Sequence, residues 1–314
     1  MTERHIGSSN PKVSIIILHL NNIPCLVDCI SSLNKISYPN YDIFVVHNGA
    51  KSNTLPDALA QRSQHIAEII DTGANIGFSG GNNVGIKRAL EKGADYVLLL
   101  NDDTEVSKDF LSLLVDIAEK RLDAGMFGPR IFFFDHPDKI WFDGAMFDSE
   151  QSRITFLRAG EKGEGLQETV TESDFITGCA VLVKRNLLEE IGLLNDFFFI
   201  YWEDVDWGLR AIKAGTKNLV VHNAHIWHKV TISMGGLQSP RTIYHKVRSH
   251  LVFTKSHAPK AFKVLLLRNL YDIAWLMVKS NEVGRFKLAR SYVAAIWDFY
   301  AGHKGKGPQW LWKV

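Results

Sequence analysis

Short apolar runs alternate with helical patterns through the first half of the chain. Residues 13–18 form an apolar run interrupted only by Ser14 and predict a buried strand, with a helix expected near 24–33. Residues 41–46 predict a second strand and 66–70 a short third. A helix is expected over 84–92, closed by Gly93 as its C-cap. The next strand covers 96–100 and stops abruptly at Asn101-Asp102-Asp103. Continuous apolar strands between helices predict α/β architecture, a mostly parallel sheet covered by helices on both faces. Ligands of such sheets sit beyond the carboxyl ends of the strands. Asn21, His47 with Asn48, and Asn101 to Asp103 follow these strands, so one edge of the sheet becomes the candidate site.

An amphipathic helix is predicted over 108–120, then strands over 131–134 and 141–147 around a turn at His136-Pro137. Residues 158–172, rich in Gly, Glu and Thr, read as a mobile loop. Apolar character returns through 179–183, with a helix over 186–191. From Thr242 the pattern turns helical and shifts to Lys, Arg and aromatic residues, which divides the chain into a domain at 1–241 and a helical region at 242–314. There Ala289, Tyr292, Val293, Ile296, Trp297 and Tyr300 recur at helical spacing beside Arg285, Lys287 and Arg290. Two readings are open: contact with a membrane surface, or packing on the first domain or across a homodimer. Packing is preferred, because such stripes usually mark core or interface.

Composition narrows the functional classes. The 314 residues suffice for one large or two modest domains with a substantial core. A net charge of +2 gives no global field for nucleic acid. Cys25, Cys29 and Cys179 are too few for a disulfide framework and lack zinc spacing, which fits a reducing, cytoplasmic setting. The first ten residues are polar and carry no secretory signal. The most lipid-like stretch, 264–278, is interrupted by Arg268 and Asp272, so it is not expected to span a bilayer. Peripheral attachment at the inner face of the cell membrane is the alternative to a fully soluble chain.

Three segments carry candidate chemistry. Asn101-Asp102-Asp103 puts two carboxylates at a strand end, where they either flank a hard cation such as Mg²⁺ or Mn²⁺ or cap the next helix. Residues 71–85 hold five glycines and three asparagines, which permit positive φ and close backbone approach before a helix start that favours an anion. The segment is neither a P-loop nor a dinucleotide fingerprint. Tyr201-Trp202-Glu203-Asp204-Val205-Asp206-Trp207-Gly208-Leu209-Arg210 packs three carboxylates among aromatics. On a helix, Asp206 pairs with Arg210 while Asp204 stays free to meet substrate, with a raised pKa suited to a general base. His222, His225 and His228 would not share one face of a strand.

Together these segments resemble the family 2 inverting glycosyltransferases of GT-A fold, in particular the rhamnosyltransferase-like branch. The resemblance rests on residues 75–86, on Leu98-Leu99-Leu100-Asn101-Asp102-Asp103 and on residues 199–210, in the expected order within roughly 12–250. It implies a Rossmann-like sheet, a nucleotide-diphosphate sugar donor and a glycan or lipid-linked acceptor. It implies that Asp103 and His228 hold the metal with Asp102 nearby, and that Asp204 is the catalytic base. Asn21, His47 and Asn48 would line the nucleoside pocket; Asn75, Gly77, Asn82 and Asn83 would meet the sugar diphosphate; Tyr201, Trp202 and Glu203 would meet the acceptor. His47 stands where family members usually carry an Asp, a departure at the nucleotide site. The branch suggests L-rhamnose from dTDP-rhamnose, for cell-surface polysaccharide synthesis, with UDP-hexose or UDP-galactofuranose as alternatives. A non-catalytic sugar-binding scaffold and a nucleotidyltransferase are the competing classes. The intact Asp103, Asp204 and His228 argue against the first, and the lack of a basic triphosphate loop argues against the second.

Overall fold

The computed structural model describes residues 10–49, 54–59, 62–163, 169–230, 239–278 and 284–312. Strands β1 (Val13–His19), β2 (Tyr41–His47), β3 (Ile66–Asp71) and β4 (Tyr96–Asn101) run parallel in the spatial order β4-β1-β2-β3. Ile15, Ile16, Val45 and Leu98 are completely buried, as both faces of a helix-covered sheet require. Helices α1 (Ile23–Leu33), α2 (Thr54–Leu59) and α3 (Gly77–Glu91) belong to this half. The Asn22 side chain starts α1 by accepting from Cys25 N at 3.3 Å, and Pro24 occupies its first turn.

The helix expected from Val84 begins seven residues earlier, at Gly77. What reads as an open loop is largely helix, and its glycines serve close packing. A Cβ at Gly81 would overlap Leu18, and one at Gly85 would overlap Ile16. Low helix propensity at these positions is outweighed by the fit of a bare backbone face against the sheet.

Beyond β4 the sheet changes direction. After β5 (Thr104–Val106), α4 (Phe110–Lys120) and β6 (Ala124–Phe133), the expected strand over 141–147 is broken by Gly144, at φ +105°, into β7 (Ile140–Phe142) and β8 (Ala145–Asp148). β9 (Arg153–Phe156), β10 (Val170–Ser173), β11 (Ala180–Lys184), α5 (Arg185–Ile191), α6 (Glu203–Lys213) and β12 (Lys217–His228) follow. β11 pairs antiparallel with both β4 and β6, while β12 lies parallel to β6 and antiparallel to β5 and β10. Of the stretch expected to be mobile, 164–168 lie outside the described residues. Its near end is tied down: Gly160 N donates to Ile140 O at 2.8 Å, and Arg158 joins Arg130 on the fully buried Asp143 carboxylate. Its far end is strand β10.

Helices α7 (Pro240–His257), α8 (Phe262–Val278) and α9 (Arg285–Ala301) form a layer with a small core around Tyr244, Leu251, Leu265 and Ala295. This layer docks on the sheet domain through Phe253 of α7, buried in the main core against Phe147 and Trp202, and through polar contacts. Ser249 Oγ donates to Ile200 O at 3.0 Å, and His257 Nε2 donates to Asp206 Oδ1 at 2.8 Å. The predicted stripe on α9 divides. Ala289 is buried and Tyr292 and Ile296 pack within the layer, whereas Val293, Trp297 and Tyr300 are exposed. Among the described residues, no helix is long and apolar enough to cross a membrane.

Candidate active site

The carboxyl ends of β1, β2 and β4 open on a cavity of about 460 Å³, lined by Asn21, Asn48, Asn75, Gly77, Asp102 and Asp103 among others. Six of the residues picked out in sequence thus converge from four separate segments. Asn48 is the hinge of the arrangement: its Oδ1 accepts from Ile76 N at 3.0 Å, and its Nδ2 donates to Gly77 O at 2.9 Å. The start of α3 is therefore already satisfied. Gly77 N donates to Asn75 Oδ1 at 2.9 Å and Phe78 N to Phe199 O at 2.6 Å, so these N–H groups are not available to an anion.

Three expected donor residues lie elsewhere. Asn82 Nδ2 donates to Phe78 O within its own helix, and Asn83 is clamped to the Leu194 backbone at both ends of its amide. His47 is buried behind the cavity wall, 3.7 Å from Asp71 and stacked against His19 at 6.0 Å. The residue that sequence reasoning missed here is His19, the last residue of β1. Its Nδ1 donates to Asp102 Oδ2 at 2.7 Å and fixes that carboxylate. Burial raises the Asp102 pKa, and the His19 contact works against the rise.

Asp103 and His228 meet at 3.1 Å, both nearly buried. Strand pairing brings them together: Thr104 of β5 sits in register with His228 of β12, and Lys229 N donates to Asp103 O at 2.9 Å. Trp141 packs edge-on against the imidazole at 4.6 Å. Burial opposes a charge on His228, but the Cys179 sulfur and the Asp103 carboxylate outweigh it and raise its pKa above the ordinary value. One carboxylate and one imidazole suit a divalent cation whose other ligands are phosphate oxygens and water. Among the described residues no three His, Cys, Asp or Glu side chains gather as a complete metal shell. The other histidines of β12 go elsewhere: His222 faces Asp143 and Arg158, and His225 packs edge-on to Phe132.

Asp204 lies in the first turn of α6, after two residues held in the left-handed region, Tyr201 at φ 72° and Trp202 at φ 73°. Such backbone costs about 1–3 kcal/mol per residue and persists where the surroundings enforce it. Here Trp202 is stacked on His250 at 4.1 Å with an interplanar angle of 10°. Asp204 Oδ2 accepts from Gly178 N at 3.0 Å and Oδ1 from Val205 N at 2.9 Å. It lines a second cavity of about 570 Å³ with Trp141, Thr177, Tyr201, Trp202 and Glu203. The two cavities are neighbours. Gly178 holds Asp204, and the next residue, Cys179, accepts from Asn101 N at 2.9 Å and lies near both Asp103 and His228. Burial raises the pKa of Asp204 and of the adjoining Glu203. Asp204 has two backbone N–H donors, while Glu203 Oε2 lacks any partner among the described residues. Burial lifts Glu203 well above its ordinary value, whereas the two N–H donors work against the rise at Asp204. Asp206 is paired with Arg210 at 2.9 Å, as helical spacing predicts.

Residues 14–192 match the model of glycosyl transferase family 2. The chain belongs to that family. It is similar to the N-acetylglucosaminyl-diphospho-decaprenol L-rhamnosyltransferase of Mycobacterium tuberculosis, at 24% identity over 260 residues, which covers 75% of this chain and 81% of that one. It is also similar to the dTDP-rhamnosyl transferase RfbF of Shigella flexneri, at 21% identity over 315 residues, covering 95% of this chain and 98% of the other. Among solved structures, GalNAc-T7 with UDP, GalNAc and Mn²⁺ superposes with a TM-score of 0.62 at 16% identity, covering 94% of this chain and 57% of that one. Staphylococcus aureus TarS superposes with a TM-score of 0.57 at 14% identity, covering 96% of this chain and 50% of that one. The chain thus spans about half the length of these solved chains. The protein is a family 2 glycosyltransferase of GT-A fold.

Proposed function

We propose that this glycosyltransferase moves L-rhamnose from dTDP-rhamnose to a hydroxyl of a glycan or lipid-linked acceptor, with inversion, in cell-surface polysaccharide synthesis. One observation carries the reading: the 3.1 Å contact of Asp103 with His228 borders the first cavity, and the Asp204 carboxylate, held by two backbone N–H groups, lines the second. The first cavity takes the donor, with Asn21 and Asn48 toward the nucleoside and Asn75 and Gly77 toward the diphosphate. The second takes the acceptor sugar between Tyr201 and Trp202. Asp204 accepts the proton of the acceptor hydroxyl as that oxygen bonds to the anomeric carbon, and the bond from this carbon to the donor diphosphate breaks. The Gly178 and Val205 N–H groups keep Asp204 aimed and ionised while its burial keeps it basic. Mg²⁺ or Mn²⁺ held by Asp103 and His228 would supply Lewis-acid neutralisation of the leaving diphosphate. His19 holds Asp102 beside that site. The burial of His47 supports a positioning role behind the nucleoside pocket rather than contact with the base.

The test is transfer from dTDP-rhamnose, UDP-hexoses and UDP-galactofuranose, each with Mn²⁺ or with EDTA, and the anomeric configuration of the product read by NMR. The expected result is Mn²⁺-dependent turnover, fastest with dTDP-rhamnose, giving the inverted anomer. Absence of turnover with every donor, or a retained anomer, would overturn the proposal.

A further inference from the structure

The cavity that holds Asp204 has a wall the proposed chemistry leaves unused. Lys246 of α7 with Arg268 and Asn269 of α8 also line it. Asn269 is only 6% exposed, and its Nδ2 has no hydrogen-bond partner among the described residues. Lys246 is half-buried with its Nζ 5.5 Å from the Tyr201 ring centroid, and burial pushes its pKa below the ordinary value. Arg268 has Asp272 as its neighbouring acid. Two cations and a buried, unused amide N–H form a donor-rich surface that an anionic, oxygen-rich group would complete.

The outer side of the same helix is apolar. Val264, Leu267, Leu270, Tyr271, Trp275 and Val278 are all exposed, Val264 at 69% and Tyr271 at 67%, and they share one side of α8. Exposed patches of this kind mark an interaction surface. Its fringe is cationic: Lys260, Lys263 and Arg268, with Lys287 and Arg290 exposed on α9. That charge complements anionic lipid headgroups. Arg268 follows Leu267 directly, so the apolar side and the cavity wall meet along it.

We propose that Lys246, Arg268 and Asn269 form a phosphate subsite in the acceptor cavity, and that the phosphate arrives on a lipid in a bilayer on which the outer side of α8 rests. The proposal builds on the reading of the Asp204 cavity as the acceptor site. An amphipathic helix lying in the headgroup region would bring a lipid phosphate to the cavity mouth without any segment crossing the membrane.

The full chain is floated, in EDTA to keep phosphate from a cation at Asp103, with vesicles of phosphatidylcholine alone, with added phosphatidylglycerol, or with a polyprenyl monophosphate at equal charge. The wild type is expected to bind the polyprenyl phosphate vesicles about tenfold more tightly than the phosphatidylglycerol ones, the scale of one charge-assisted hydrogen bond. Lys246→Gln with Arg268→Gln should remove that preference. Leu267→Glu with Trp275→Glu should abolish binding to every vesicle while leaving Mn²⁺-dependent donor hydrolysis and the melting temperature unchanged. Equal binding of the wild type to both anionic vesicles overturns the subsite. Heat protection by free pyrophosphate in EDTA without any flotation overturns the lipid source. A dimer that Leu267→Glu with Trp275→Glu dissociates in sedimentation overturns the bilayer contact. Failure of the transferase reading would instead appear as no turnover of any nucleotide sugar, in an assay that contains no vesicles.

Discussion

Replacing Asp204 with Asn separates the chemistry of the acceptor cavity from its architecture. The side chain keeps its volume, but an amide accepts only one of the two N–H groups that the carboxylate now holds, from Gly178 at 3.0 Å and Val205 at 2.9 Å. The other N–H would face an NH₂ group, a loss of about 1–3 kcal/mol. Against this, the variant removes a buried charge beside Glu203, where burial and mutual repulsion raise the pKa. The two effects oppose each other, so the melting temperature should move by only a few degrees, at roughly 2–4 °C per kcal/mol for domains of this scale. Turnover behaves differently. Loss of a general base lowers the rate about 10²–10⁴-fold, or about 3–5 kcal/mol of barrier. Donor affinity should hold, because Asp204 lines the second cavity and not the first. The pH profile gives an independent readout. The base must be ionised, and its pKa is raised by burial, so the wild-type rate should fall with acid through a pKa above the ordinary carboxylate value of about 4. The residual rate of the variant should lack that limb. Initial rates, donor calorimetry and thermal melts measure all three quantities. A well-folded variant that turns over within about threefold of wild type, far inside the range for a lost base, would refute Asp204 as the proton acceptor.

Three other substitutions test separate parts of the structure. His228→Ala should weaken Mn²⁺ binding by tenfold or more, about 1.4 kcal/mol, read by calorimetry with nucleotide present. In the wild type that affinity should rise with pH, because the His228 pKa is raised and its proton must leave before metal binds. The metal-free protein shows the opposite sign: the stability that protonated His228 contributes is complete below pH of about 6.5 and lost as pH rises through the raised value. Gly81→Ala drives a methyl into Leu18, which lines the donor cavity, and should destabilise by about 1–3 kcal/mol while weakening donor binding. Asp143→Ala strands Arg130 and Arg158 and should destabilise by about 3–5 kcal/mol, seen as a large fall in melting temperature with little protein left folded for assay.

The parallel half of the fold was legible because its signal is local. Unbroken apolar runs such as Ile15-Ile16-Ile17 and Leu98-Leu99-Leu100 have no other stable home than a sheet buried on both faces, and the polar residues that end them have nowhere to go but one edge. The glycines of α3 misled in proportion to how well they work. Propensity penalises Gly81 and Gly85, yet bare backbone is what the neighbouring Leu18 and Ile16 demand, a tertiary requirement invisible in the local string. Asn82 and Asn83 share the same difficulty: motif position groups them with Asn75, while the helix turns them toward Phe78 and Leu194. His19 was within reach, since it precedes Asn21 at the end of β1 and strand-end histidines belong to the site edge. Lys246, Arg268 and Asn269 were not, because only the docking of α7 and α8 against the sheet domain makes them walls of the Asp204 cavity. The left-handed pair Tyr201 and Trp202 likewise has no sequence mark, being imposed by the stack on His250.

Everything proposed for the chemistry depends on a cation, a nucleotide diphosphate and Asp103 occupying one place. Calorimetric titration of dTDP into the wild type and into Asp103→Asn, each in Mn²⁺ and in EDTA, addresses this directly. The wild type should bind at least about tenfold more tightly in Mn²⁺ than in EDTA, a gain of about 1.4 kcal/mol, and Asp103→Asn should bind equally weakly in both. Equal affinity of the wild type in Mn²⁺ and EDTA would contradict it.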